Sequence, residues 1–260
     1  MQRRRDYDYW GPDFERLDDA IAQAVATREL FLLYQPRISV ETKRLCGAEA
    51  LVRWAHPERG VMVPADFLDG AEKRGSIGAI DDFVLDQACS LLADWEGTTT
   101  LPEGFTLAVN ISVSELADPC LAERVGATLG RHGVNPARLC LEVTELASGK
   151  AADNVRADLG RLGVRLAVDN YPMGYSGLGR LQHLQPDSLA IDRCFAGEVL
   201  LVRSTVELAH SLCVRTLGKG VETEEQLAVL TASGCDEAQG FHIGYPMLPA
   251  VLERLWAPGQ

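Results

Sequence analysis

The stretch Leu139–Asn170, LCLEVTELASGKAADNVRADLGRLGVRLAVDN, carries the reading of the fold. It opens on an apolar run of strand length, LCLEVTE, whose charged residues are Glu142 and Glu145. Apolar residues at helical spacing follow over Ala151 to Leu162. A second apolar run, VRLAVDN, then ends in Asp169 and Asn170. The order is strand, helix, strand, with each strand closing on carboxylates or amides.

The same pattern extends in both directions. Strand-like runs recur as FLLYQPR, GAEALVRW, TLAVNIS, LCLEVTE, VRLAVDN, SLAIDR, VRTLGKGVE and EAQGFHIG, which makes eight. Between them helices are expected at Asp81 to Trp95, Pro119 to His132, Ala151 to Leu162, Leu200 to Leu212 and Thr223 to Ser233. The last opens on a capping box, Thr223 as N-cap with Gln226 three positions on. Eight strands alternating with helices predict an α/β fold of TIM type, a (β/α)8 barrel; a doubly wound sheet with fewer strands is the alternative.

A chain of 260 residues, 47% of them apolar, is long enough for one large core, and two small domains fit it less well. Residues 1–14, MQRRRDYDYWGPDF, read as a linker or amino-terminal extension, and residues 15–260 as the domain. No apolar h-region follows MQRRR, and no apolar run reaches the length of a membrane span. The formal net charge of -12 argues against a general nucleic-acid surface while leaving room for acidic pockets that hold divalent metal. Cys46, Cys89, Cys120, Cys140, Cys194, Cys213 and Cys235 contain no CxxC, and most lie in apolar runs. They read as reduced core residues of a cytoplasmic protein. The five histidines are never at metal-ligand spacing.

In a barrel of this type the site forms at the carboxyl ends of the strands. Those ends offer Gln35, Glu49 with Arg53, Asn110, Glu142 with Glu145, Asp169 with Asn170, Asp192, Lys219 with Glu222, and Gln239. Any one of them could be a helix cap. A ring of converging carboxylates, however, repels itself unless a cation neutralises it. Glu49, Asn110, Glu142 and Asp169 are hard oxygen ligands of the kind Mg or Mn prefers. Lys219, between Gly218 and Gly220, is not a phosphate-loop lysine: that pattern needs glycine at Cys213 and Ser or Thr at Gly220.

These residues resemble the EAL domain family, whose active members hydrolyse the bacterial second messenger cyclic di-GMP. Glu49-Ala50-Leu51 in GAEALVRWAHPERG looks like the family signature. LLYQP, VNIS, LEVTE, AIDR, GVETEEQL and GCDEAQGF follow in family order, and the likeness covers roughly residues 15–256. It implies a barrel whose first strand is antiparallel to the others, and two-metal hydrolysis in active members. The first metal site would be Glu49, Asn110, Glu142 and Asp169, all present.

Three positions depart from the active pattern. DNYPMGYSG puts Asn170 where a DDFGTGYSS-like loop has its second aspartate. Ala190 in LAID stands where the family has the lysine of LKID. Lys219 stands where AEGVE has its glutamate, a charge reversal at the metal centre that should expel the second metal. That ammonium could instead pair with Asp169, Asp192 or a phosphate. The loop has also gained Pro172 and Met173 in place of its Gly-Thr run, while Glu145, its anchor, remains.

The resemblance implies that the nucleotide shell is kept. The ligand-binding residues are Gln35, Glu49, Leu51, Arg53, Asp81, Asn110, Glu142, Asp169, Glu222 and Gln239, with no catalytic residue and no required metal. Arginine suits a phosphate, and a carboxylate suits the donor edge of guanine. Asp82 competes with Asp81 for that role. The expectation is a catalytically inactive EAL domain that acts as a cyclic di-GMP receptor and signals to a partner protein or adjacent domain. Mg or Mn at a vestigial single-metal site, with weak phosphodiesterase activity, is one alternative. An interaction module without nucleotide is another, favoured by Tyr245 where the family usually has arginine. The family also implies a homodimer through the loop and helix near strand five, a habit against which the changed loop counts.

Overall fold

The computed structural model describes residues 16–98, 101–144, 150–171, 181 and 184–256. Glu145 and the Pro172–Met173 loop, with the dimer contact expected there, lie outside those residues, as do residues 1–15. Nine strands form one sheet: β1 (Leu30–Ser39), β2 (Leu45–His56), β3 (Gly60–Met62), β4 (Thr106–Asn110), β5 (Leu139–Val143), β6 (Arg165–Tyr171), β7 (Ser188–Ile191), β8 (Arg215–Gly218) and β9 (Glu237–Gln239). The helices are α1 (Leu17–Ala26), α2 (Leu68–Arg74), α3 (Ile77–Thr98), α4 (Val113–Leu116), α5 (Leu121–His132), α6 (Lys150–Leu162), α7 (Val199–Ser211), α8 (Glu224–Ala232) and α9 (Pro249–Leu252).

The sheet closes on itself. Its order is β1-β9-β8-β7-β6-β5-β4-β2-β3, and β1 also pairs with β2, so eight strands make the barrel and β3 extends β2 as a hairpin. β1 runs antiparallel to both β2 and β9, whereas β2 and β4 through β9 pair in parallel. Parallel neighbours need helical crossovers, and those helices cover the outer face. The sheet's outward residues, among them Leu107, Leu139, Leu141, Leu166 and Leu189, join one large core with Leu85, Leu92, Val125 and Leu159 of the helices.

The inside of the barrel is built differently. Barrel interiors are usually filled by layers of bulky branched side chains. Here Ala108, Cys140 and Ala167 form a small buried cluster of their own, apart from the main core. Adjacent strands place these residues side by side, Ala108 opposite Cys140 and Ala167 opposite Glu142. Small side chains at this level leave the barrel axis free for longer polar ones. Arg37 from β1, only 3% exposed, occupies that space.

Candidate functional site

Two cations and three carboxylates meet at the carboxyl ends of the strands. Lys219, just beyond β8, places its Nζ 2.9 Å from Glu142 Oε2, 3.0 Å from Asp169 Oδ1 and 3.2 Å from Glu49 Oε2. From the amino-terminal side of the barrel, Arg37 Nη2 reaches Glu142 Oε1 at 2.5 Å and Glu49 Oε2 at 3.5 Å. Asn110 Nδ2 donates to Glu49 Oε1 at 2.8 Å, and Gln239 Nε2 donates to Glu49 Oε2 at 2.9 Å. Gln35 completes the rim, its amide donating to the Gly244 carbonyl at 3.1 Å while its own oxygen faces Gln239 at 3.4 Å.

The local sequence explains why the lysine sits between glycines. A Cβ on Gly218 would come within 2.3 Å of Leu230, which packs across the strand from α8. Gly220 has φ +70°, and a Cβ there would fall 2.1 Å from Arg193. The chain therefore turns tightly after β8 with Lys219 aimed inward, its N–H bonded to the Ile191 carbonyl at 3.1 Å. The capping box then fixes the entry to α8: Thr223 Oγ1 accepts from Gln226 N–H, and Gln226 Oε1 accepts from the N–H groups of Thr223 and Glu222. Glu222 is held at the rim by its backbone.

Electrostatics lock this arrangement in one charge state. Burial works against the Lys219 ammonium, but Glu142, Glu49 and Asp169 outweigh it and raise the pKa above the ordinary lysine value. Burial also disfavours the Glu49 carboxylate. Lys219, Arg37 and the Asn110 and Gln239 hydrogen bonds overcome that penalty and hold its pKa well below the usual range. Two positive charges face three carboxylates, so neither cation alone suffices and both are held.

The expected residues distribute unequally about this ring. Glu142 is fully buried, with one oxygen held by each cation. Asp169 is tied to Lys219 and accepts from the Asn170 N–H, and Asn170 takes a left-handed backbone, φ 56°, that asparagine tolerates better than most residues. Lys219 does not pair with Asp192, whose carboxylate instead accepts from the Cys194 N–H. Ala190 is buried. Arg53 is half-buried and turned onto its own strand, Nη1 donating to the Val52 carbonyl at 2.8 Å.

Two cavities flank the ring. One, of about 400 Å3, is lined by Gln35, Glu49, Asp192, Lys219, Glu222 and Phe241 among others. Phe241 stacks on Tyr245 with ring centroids 4.6 Å apart, and both rings are exposed. The other cavity, of about 300 Å3, is more apolar and is lined by Leu51, Ile77, Ile80, Asp81 and Asn110 among others. Its carboxylate, Asp81, accepts from the Ser112 N–H at 3.2 Å, and burial pushes its pKa up to about 6. Asp82, by contrast, points outward to Arg124 at 3.5 Å. The Asn110–Glu49 hydrogen bond stands between the cavities.

Sequence reasoning missed Arg37. The signal was available: it lies two residues after Gln35, so strand alternation puts both side chains on the same inward face. A guanidinium inside a run as apolar as FLLYQPRIS needs a buried partner.

The comparisons with known proteins agree with the geometry. The EAL domain model matches residues 18–246. An uncharacterized signaling protein of Caulobacter vibrioides is 40% identical over 246 residues, covering 91% of this chain and 30% of its own length. The bifunctional diguanylate cyclase/cyclic di-GMP phosphodiesterase MucR of Pseudomonas aeruginosa is 37% identical over 240 residues, 87% of this chain and 34% of its own. The chain thus spans about a third of the length of these curated relatives. Among solved structures, the MucR phosphodiesterase in complex with cyclic di-GMP superposes with a TM-score of 0.83 at 36% identity, covering 91% of this chain and 99% of that one. Barrel topology, site residues and relatives converge: the chain belongs to the EAL domain family.

Proposed function

We propose that this EAL domain is a metal-independent receptor for cyclic di-GMP with no hydrolytic activity, and that it passes the signal to a partner protein or to an adjacent domain of a longer chain. The observation that carries the reading is the Lys219 ammonium, within 3.2 Å of all three ring carboxylates. A divalent ion and an ammonium compete for the same oxygens, and two positive charges at contact distance in a buried site repel strongly. The donor set Glu49, Asn110, Glu142 and Asp169 does not fit a metal while Lys219 lies among it. Ala190 and Asn170 remove two further groups that hydrolysis in the family's active members would draw on, and groups that act as a unit fail together.

Recognition is supported by what the ring leaves uncommitted. Glu222 and Asp81 present carboxylates to separate cavities on either side of the ring, matching a ligand with two guanine donor edges. Arg53 would have to turn from the Val52 carbonyl to meet a phosphate. The MucR structure that holds cyclic di-GMP is itself described as a phosphodiesterase, so inactivity here rests on this chain's own substitutions. The decisive experiment is a calorimetric titration of cyclic di-GMP in EDTA, paired with a hydrolysis assay in Mn at high protein concentration. Binding in EDTA with no product in Mn supports the proposal. Product formation overturns the inactive reading, and the absence of heat in EDTA and in Mg overturns the receptor reading.

A second reading, a protein-interaction barrel that no longer takes nucleotide, draws on the exposed Tyr245, Leu248, Val251 and Leu255 close along the chain after β9. It predicts no heat in either titration.

A further inference from the structure

The opposite end of the barrel holds a larger cavity, of about 640 Å3, at the amino-terminal mouth. In barrels of this type residues at that end ordinarily serve stability. Here the mouth is lined by three arginines, Arg37, Arg165 and Arg215, facing Glu237 and Asp187. The two carboxylates are already engaged. Glu237 pairs with Arg215 at 3.0 Å, and Asp187 accepts from the Leu166 N–H at 2.8 Å and lies 3.4 Å from Arg156. Arg165 makes no hydrogen bond or salt bridge among the described residues, and its charge acts on Glu237 across the mouth.

Arg37 adds a second uncommitted donor. Its Nη2 is taken by the ring above, but its Nε is buried and has no partner among the described residues. A buried guanidinium N–H without an acceptor is costly, so an acceptor at this place is favoured. Gln185 and Cys213, which also line the mouth, adopt left-handed φ of 46° and 60°.

We propose that the amino-terminal mouth binds a small oxyanion, a phosphate or carboxylate group held by Arg165, the Arg37 Nε and the Gln185 amide. The proposal is independent of the nucleotide reading, since it concerns the other end of the barrel. Arg165 and the Arg37 Nε supply charge-assisted donors, and oxyanion acceptors are what such donors select.

The test is the melting temperature of the protein titrated with inorganic phosphate and, separately, with acetate, at constant ionic strength set by sodium chloride. The expected result is a saturable rise for at least one anion beyond chloride alone, and the responding anion identifies the source. Arg165→Gln should weaken the apparent affinity about tenfold, the loss of one hydrogen bond to a charged group. Arg165→Lys should retain most of it, which separates lost charge from lost folding. Arg203→Ala, at an exposed position of α7 away from both ends, should leave it unchanged. No response beyond chloride, or a response insensitive to Arg165→Gln or abolished by Arg203→Ala, overturns the proposal.

Discussion

The ring at the centre of the site and the two cavities beside it are built on opposite electrostatic principles. In the ring every carboxylate has a cation within 3.2 Å, and the amides of Asn110 and Gln239 take up further oxygens. In the cavities, Glu222 has no cation within salt-bridge distance among the described residues, and Asp81 draws its hydrogen bonds from Ser112 alone, so that burial lifts its pKa to about 6. A saturated centre cannot recruit a metal without breaking its own ion pairs. Unsaturated flanks can exchange water for ligand donors. Under the receptor proposal, that difference is what would separate the loss of chemistry from the retention of recognition in one site.

The sharpest way to break the contrast is to unbalance the centre. Lys219→Glu sets four carboxylates against Arg37 alone where three had faced two cations, and stability in EDTA should fall by about 3–5 kcal/mol, the usual result of breaking a buried ion pair. Mn should restore much of it in the variant and nothing in the native protein, as read from urea melts with and without metal. An equal Mn response in both would mean that Lys219 does not exclude the ion.

Next in size, combining Lys219→Glu with Ala190→Lys and Asn170→Asp should bring back Mn-dependent hydrolysis, seen as linear product formation from cyclic di-GMP. A folded, inactive triple variant would move the cause to the Pro172–Met173 loop. A smaller effect is expected from Arg53→Ala, which should weaken binding by about 2 kcal/mol, one charge-assisted contact, with the melting curve unchanged. Unaltered affinity would move the phosphate contact elsewhere.

The smallest effect tests the flanks by pH. The Asp81 carboxyl titrates near 6 in the fold against an ordinary 3.8, so it is mostly protonated at pH 5 and mostly ionised at pH 7. Ionisation is disfavoured by the fold, so its cost to stability is absent below pH 3.8 and fully present above about 6. If the ionised form accepts from guanine, affinity should be up to about tenfold lower at pH 5 than at pH 7, following the ionised fraction. Asp81→Asn should flatten that dependence and should relieve the stability cost above pH 6. A pH profile the same in both proteins would remove Asp81 from recognition.

Much of this is legible in the amino-acid sequence. The eight apolar runs are the eight barrel strands, and the Thr223–Gln226 capping box forms as its spacing demands. Lys219 could be read as a charge reversal because strand ends are where barrel sites form. The choice between Asp81 and Asp82 was not readable, since neighbours on a helix point about a quarter-turn apart and only packing shows which one faces a cavity. Arg37 was overlooked because its partner, Glu142, is 105 residues away.

The sequence by itself determined the architecture and the identity of the groups at the site, because strand alternation and helical periodicity are local properties of a chain. Only the tertiary structure decided how those groups are paired. Closing β1 between β2 and β9 sends Arg37 along the axis past Ala108 and Ala167, and the turn at Gly220 aims Lys219 back at Glu49, Glu142 and Asp169. Charges far apart in the chain meet across a barrel according to register and side-chain reach. That distance in space decides whether a carboxylate ring holds an ion or a lysine.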